Sequence, residues 1–511
     1  MDAPDAKQLA LRGHTYARRE EYEKAAAAFT ALLELEPDDA DAYYHRGNVR
    51  VAQGAFADAV ADFTRTVELN PEFAEAFHNR GSAHVDLGDL DAAVRDFGEA
   101  IRLNPDDPDP YNGRAAAYSR QGAFESALAD YEAVLEREPD GYRAYFNRGN
   151  AHAARDDHEA AAADYSAALA RHPRNPRAYV YRALSYEALG QVAQSIADLS
   201  TALRLRPNFA EAFWHRGRLR ADFGEFRKAV DDYTWLLHYD PAHSAGWNLR
   251  GVAYAELGEP KPAVADFTKA MELDADDPGP PFNRGLAQSR LGDWDAAVID
   301  LTHAIRLDPA DAAGYLQRGY AHLELLDPER ALADFTAAVE RNDTDPRGHL
   351  AQAMAHRRLG HYPSALLAAH RAIELDPEDD DAYNLRASIH YALTDYAAAA
   401  ADHEAAYALA ADDPNTLNYL AWIRATCPQP DLRDGNRAVA LALQACEQTG
   451  FARSGFLDTL AAAYAEVGRF DDAVEWQRKV IALVPPDEKG QYEARLATYE
   501  AHEAYRDAAA E

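Results

Sequence analysis

The chain has 511 residues and a formal net charge of −34, from 52 Lys and Arg against 86 Asp and Glu. A field of that sign repels phosphate backbones, which argues against nucleic acid as a partner. With 48% hydrophobic and 27% charged residues the chain can bury a large core, which excludes a disordered polymer.

Alanine dominates the apolar residues and Val/Ile runs are scarce, which favours helix over strand. The start, MDAPDAKQLALRGH, is acidic and lacks the apolar core of a secretory signal. No apolar run approaches the roughly 20 residues needed to span a bilayer. A cytoplasmic protein with no membrane partner is expected. The two cysteines, Cys427 and Cys446, cannot form a disulfide scaffold and are expected as packing thiols.

From residue 6 to residue 413 the chain runs as twelve in-register units of 34 residues. Pro37, Pro71, Pro105, Pro139, Pro173, Pro207, Pro241, Pro309 and Pro377 hold one register, and so do the alanines from Ala25 to Ala399, with Ser195 in one gap. Each unit predicts two helices. In 74–107 the first is AEAFHNRGSAHVDLG and the second LDAAVRDFGEAIRLNP. Gly88 marks the turn between them, with Gly54, Gly122, Gly190, Gly224, Gly258, Gly292 and Gly360 at the same place, where a helix end often needs positive φ. Gly81 and Ala93 should let the helices approach, with Phe97 filling the space beyond. Proline stops the second helix. Where it is missing, Pro278, Pro346 and Pro414 stand three residues later, near the next helix start, where proline is tolerated.

After 413 the register breaks. Residues 414–487 read as two divergent repeats, the first with an insertion, ATCPQPDLRDGN. Residues 488–511 read as a capping helix and tail, with the helix over 492–507. A stacked array needs such an end, because its last unit otherwise exposes an apolar face.

Two columns recur. Arginine fills the seventh position of eleven units, including Arg46, Arg80, Arg114 and Arg148. Aspartate fills the twenty-third position of ten, including Asp62, Asp96, Asp130 and Asp164. The architectural reading pairs them between first and second helices, because a buried guanidinium needs a carboxylate and Arg offers planar bidentate geometry. The alternative is an arginine ladder that faces ligand.

The period, the small eighth and twentieth residues, the aromatic twenty-fourth and the proline thirty-second resemble the tetratricopeptide repeat family. The end of the chain resembles the terminal module of many bacterial repeat proteins. The resemblance implies an all-α solenoid: a right-handed superhelix of helical hairpins whose concave face, lined by first helices, binds peptides or proteins. That family usually has an apolar seventh residue, so the Arg and Asp columns depart from it. Mapped by the family's pattern, the concave face comprises Tyr44, His45 and Asn48; His78, Asn79 and Ser82; Phe146, Asn147 and Asn150; Tyr181; Trp214, His215 and Arg218; Asn248; Phe282 and Asn283. Amides can pair with a ligand backbone of any sequence, and aromatics make large anchors. Asn48 and Asn79 match two asparagines of the family's carboxylate clamp, but Tyr44 stands where the clamp has lysine. Asn79, Asn147 and Asn283 partly resemble the asparagine ladder of the O-linked GlcNAc transferase superhelix, whose catalytic region has no counterpart here.

Catalytic signatures are missing. The two Asp-Phe-Gly triplets, at 96–98 and 222–224, lack a phosphate loop and a catalytic loop, and His158, His403 and His502 precede Glu without a second His. His322, His356 and His390 are 34 apart, but packed helices lie about 8–10 Å apart while zinc ligands sit at about 2 Å. No cofactor or metal is expected. The expected function is a non-enzymatic protein- or peptide-binding scaffold, a monomer or weak homo-oligomer. The alternatives are a substrate-recruiting subunit of an enzyme complex or a self-assembling structural protein.

Overall fold

A computed structural model describes residues 5–507. The first four and last four positions, which carry part of the acidic start and the end of the expected tail, lie outside the described residues. Among the described residues there are 29 α-helices, one short 3-10 turn and no strand.

Helix boundaries follow the 34-residue period. First helices such as Ala40–Ala52, Ala74–Leu87 and Pro108–Gln121 are each followed by a 14-residue second helix, here Phe56–Leu69, Leu90–Leu103 and Phe124–Arg137. Polar caps open many of them. The carboxylates of Asp39, Asp345, Asp379 and Asp413 accept backbone N–H groups of the helices they precede, and Asp89, Asp157 and Asp395 do the same for second helices. Each satisfies a donor that the first turn leaves unpaired. Pro346 and Pro414 are first residues of helices, and Pro278 directly precedes Gly279–Leu291.

The turn glycines have positive φ, from 70° at Gly190 to 82° at Gly88. Four units place another residue there with the same backbone: Glu20, Asp156 and Leu326 at 60°, and Thr394 at 64°. The small eighth residue is a packing requirement. A Cβ on Gly47 would lie 2.6 Å from the Phe63 ring, and one on Gly319 would lie 2.4 Å from Phe335. Those rings are fully buried.

Contacts divide the chain into two compact units, 1–242 and 243–511. Within each, a second helix packs on its own first helix and on the first helix of the following repeat. First helices of successive repeats also touch, so they share one face, called the inner face below. The unit 243–511 contains five regular hairpins and then the helices Pro414–Thr426, Gly435–Gln448, Ser454–Glu466, Phe470–Leu483 and Lys489–Glu500. The insertion forms the 3-10 turn Pro430–Leu432. Arg433 pins it by donating to the Cys427 and Pro428 carbonyls and pairing with Glu466 at 3.0 Å. Both cysteines are fully buried in the core of this end.

The last helix differs from the sequence expectation of 492–507. It starts at Lys489 and ends at Glu500, and His502 takes φ 61°. Residues 503–507 leave the helix and turn back onto Pro414–Thr426, where the Asp507 N–H donates to the Thr426 carbonyl at 3.1 Å. Side-chain bonds to residues far back in the chain outweigh continued helix.

Candidate partner-binding face

Ten of the eleven column arginines are enclosed by the hairpins, and Arg12, with Ala28 in place of the aspartate, is exposed. In ten repeats the seventh-position Arg donates two bonds to the Asp sixteen residues on. Arg46–Asp62 is at 2.7 and 2.9 Å, Arg80–Asp96 at 2.7 and 2.8 Å, Arg114–Asp130 at 2.8 Å twice, and Arg148–Asp164 at 2.7 and 2.8 Å. These four aspartates are buried, with side chains 3–9% exposed. The remaining Nη often reaches a hydroxyl on the preceding repeat's second helix: Arg46 to Thr30 at 3.0 Å, Arg80 to Thr64 at 3.2 Å, Arg182 to Ser166 at 2.9 Å, Arg284 to Thr268 at 2.8 Å. A ring three residues earlier covers the guanidinium, as Tyr43 covers Arg46 at 5.4 Å and Tyr145 covers Arg148 at 5.7 Å. Each such Arg therefore ties three helices of two repeats. In the eleventh repeat, Gln352 keeps the bond to the preceding hydroxyl, Thr336, at 3.2 Å, while Ala368 replaces the aspartate.

Two of the three histidines thirty-four apart, His322 and His390, stand beside such pairs, whereas His356 lies in the eleventh repeat, which has none. His322 Nε2 is 3.8 Å from Asp334 and His390 Nε2 is 3.9 Å from Asp402. Among the described residues no group of three or more His, Cys, Asp or Glu could hold a metal ion.

Several of the residues mapped to the concave face contact the first helix of a neighbouring repeat, and much of that surface is engaged within the chain. Asn79 donates to the Tyr44 hydroxyl at 3.1 Å and to Asn48 Oδ1 at 2.8 Å, which joins two repeats. Asn283 donates likewise to Asn248 at 3.1 Å. Asn150 accepts from the Tyr165 hydroxyl at 2.8 Å, and Phe146 meets Tyr181 edge to face at 5.4 Å. Arg218 pairs with Glu187 of the preceding repeat. His45 stacks on Phe29, and His78 meets Phe97 edge to face at 5.5 Å. Trp214 lies 6.3 Å from the Tyr233 ring, and Phe282 packs on the cluster of Ala297, Leu301 and Ala321. Asn147 and Ser82 are half-buried, and Ser82 donates to the His78 carbonyl. Burial pushes the His45, His78 and His215 imidazoles below their ordinary range, so they are neutral near pH 7.

The same helix positions further along enclose a cavity of about 760 Å³. Its lining includes Tyr320, Leu350, Met354, Asn384, Leu385, Ser388, Asn415, Tyr419 and Trp422, which stand at second, fifth, sixth and ninth positions of successive repeats, along with Tyr391, His403, Arg357 and Asp381. The sequence mapping stopped at Asn283, so these residues were missed. Continuing the same positions through the remaining repeats finds them. In the cavity wall His403 replaces the usual aromatic twenty-fourth residue. Its Nδ1 lies 3.0 Å from Asn384 Oδ1, Asn384 donates to Thr416 at 2.7 Å, and the ring stacks on Tyr419. Burial holds the His403 imidazole down to about 4. The wall thus presents amides, hydroxyls and a neutral imidazole among apolar and aromatic groups, with Arg357 and Asp381 as its charged members.

Hairpins of this period, stacked side by side with their first helices on one shared face, define a helical-repeat solenoid. The chain belongs to the tetratricopeptide repeat family. The family model for that repeat matches 11–72, 112–176, 154–210, 215–278, 282–346 and 350–414, and related models match 81–122 and 456–483. No curated protein sequence matches the chain. Among solved structures it is similar to the APC/C hetero-tetramer Cut9–Hcn1, at 15% identity over 97% of each chain and a TM-score of 0.43. Yeast Tom70 is similar at 19% identity over 82% of this chain and 95% of that one, with a TM-score of 0.35. YrrB, described as a TPR protein with an unusual peptide-binding site, is similar at 26% identity over 35% of this chain and 93% of that one, with a TM-score of 0.32. Among the described residues no helix is long and apolar enough to cross a membrane.

Proposed function

We propose that the chain is a non-enzymatic scaffold that holds a protein or peptide segment along the inner face of its first helices. The observation that carries this reading is the cavity of about 760 Å³ built from inner-face positions of successive repeats. It combines apolar side chains for an anchor with amides that can pair with a peptide backbone, the usual composition of a recognition site. The Arg–Asp columns support it from the other side. Their charges are spent on joining helices, which leaves the variable positions to discriminate between partners.

The test is affinity capture from the native cell with the full chain. Capture by Leu385→Asp with Tyr419→Ala, and by Asn147→Ala with Trp214→Ala, is expected to lose partners that the wild type retains. An outer variant such as Arg102→Ala, whose side chain is 62% exposed, is expected to lose none. An unchanged bound set in both inner-face pairs overturns the reading.

A further inference from the structure

The segment 503–507 has no helical reason to turn back, yet its last four residues are half-buried. Asp507 is the centre of its attachment. One carboxylate oxygen, Oδ2, accepts from the Tyr391 hydroxyl at 2.7 Å and from the Trp422 indole N–H at 3.0 Å. The other accepts from the Tyr505 hydroxyl at 3.3 Å. Arg506 pairs with Glu466 at 2.6 Å, and the Tyr505 ring lies 6.0 Å from Trp422. Arg495, held by buried Asp458 at 3.0 Å, stands over both the Trp422 and Tyr505 rings.

Tyr391 and Trp422 also line the 760 Å³ cavity. The Tyr391 hydroxyl and the Trp422 indole N–H, converging on one oxygen, form a carboxylate receptor, because bonds to an ionised acceptor are shorter and stronger than neutral ones. The acid they hold comes from the chain itself, on a segment with no secondary structure of its own. Such segments open at lower free energy than the packed helices they cover.

We propose that the segment 503–507 is an intramolecular competitor: Asp507 occupies the donors of Tyr391 and Trp422, two residues of the cavity wall, and an acidic peptide must displace it to bind them. This rests on the inner face being the partner surface, and it adds a regulated, acid-selective subsite. Binding in trans is weakened by the fraction of time the segment is docked.

The probe is a fluorescein-labelled, C-terminally amidated peptide with the sequence of His502–Asp507, beside the same peptide carrying Asp507→Asn. Binding to the full chain is read by fluorescence anisotropy. The Asp507→Asn chain is expected to bind the acidic peptide at least tenfold more tightly than wild type does, and at least tenfold more tightly than the amide peptide. Adding both Trp422→Phe and Tyr391→Phe to that chain should erase the preference between peptides. Equal binding of the two peptides, or no gain over wild type, overturns the proposal. If Asp507→Asn fails to fold, Arg506→Ala, which loosens the segment without touching the receptor, should still bind the acidic peptide severalfold more tightly than wild type, and no gain there overturns it equally. Failure here leaves capture through Asn147 and Trp214 unaffected, so the two readings fall separately.

Discussion

Arg114 shows what one residue does in this array. It grips Asp130 with two bonds of 2.8 Å, lies over Tyr111 and Tyr118, and is lifted above its ordinary pKa chiefly by its bond to that carboxylate. Replacing only the acid leaves a largely enclosed cation without its counter-charge, a loss of about 3 kcal/mol. Asp130→Ala is therefore expected to speed amide hydrogen exchange in Pro108–Gln121 and Phe124–Arg137, with a smaller effect on distant repeats, because repeat arrays gain stability from nearest neighbours. Pairing it with Arg114→Met should restore part of the protection. Unchanged exchange in Asp130→Ala would contradict a clamping role. The two charged columns were visible in the sequence. The ring at the fourth position and the hydroxyl of the preceding repeat were not, because neither column is strict and both depend on how successive hairpins sit.

At the scale of the helix, the hairpin turn sets a backbone requirement that four repeats meet at a cost. Leu326 and Thr394 hold φ of 60° and 64° where other repeats have glycine. A non-glycine residue in that conformation costs about 1 kcal/mol or more, and a β-branched one is the least suited. Leu326 is 79% exposed, so little packing is lost with its side chain. Leu326→Gly and Thr394→Gly are each expected to raise the urea midpoint of unfolding by the equivalent of about 1 kcal/mol, offset in part by glycine's freedom in the unfolded chain. A fall in both variants would show that the turn is not strained. The hairpins themselves were legible because a strict period places the small eighth residue opposite a large one in all repeats but the eleventh, where Ala353 meets Ala369. The end of the last helix was not. It is decided by Asp507 reaching Tyr391 and Trp422, 116 and 85 residues earlier, and no local pattern encodes such a contact.

Across the whole molecule, two sets of positions divide the work. Glycine, arginine, aspartate and the buried aromatic recur and join helices. The second, fifth, sixth and ninth positions vary from repeat to repeat, as Asn79, Asn283, Leu385 and Tyr419 illustrate. Second helices carry exposed apolar residues too, such as Ile299 and Leu367 at 70% and 73% exposure, so exposure alone does not pick out the partner surface. Site-specific photo-crosslinking in the native cell distinguishes the faces directly, with a benzophenone amino acid replacing Leu385 or Tyr419 in one set and Ile299 or Leu367 in the other. The account predicts discrete crosslinked partners from the first set and none shared with the second. The same adducts from Ile299 and Leu367, with none from Leu385 and Tyr419, would contradict it.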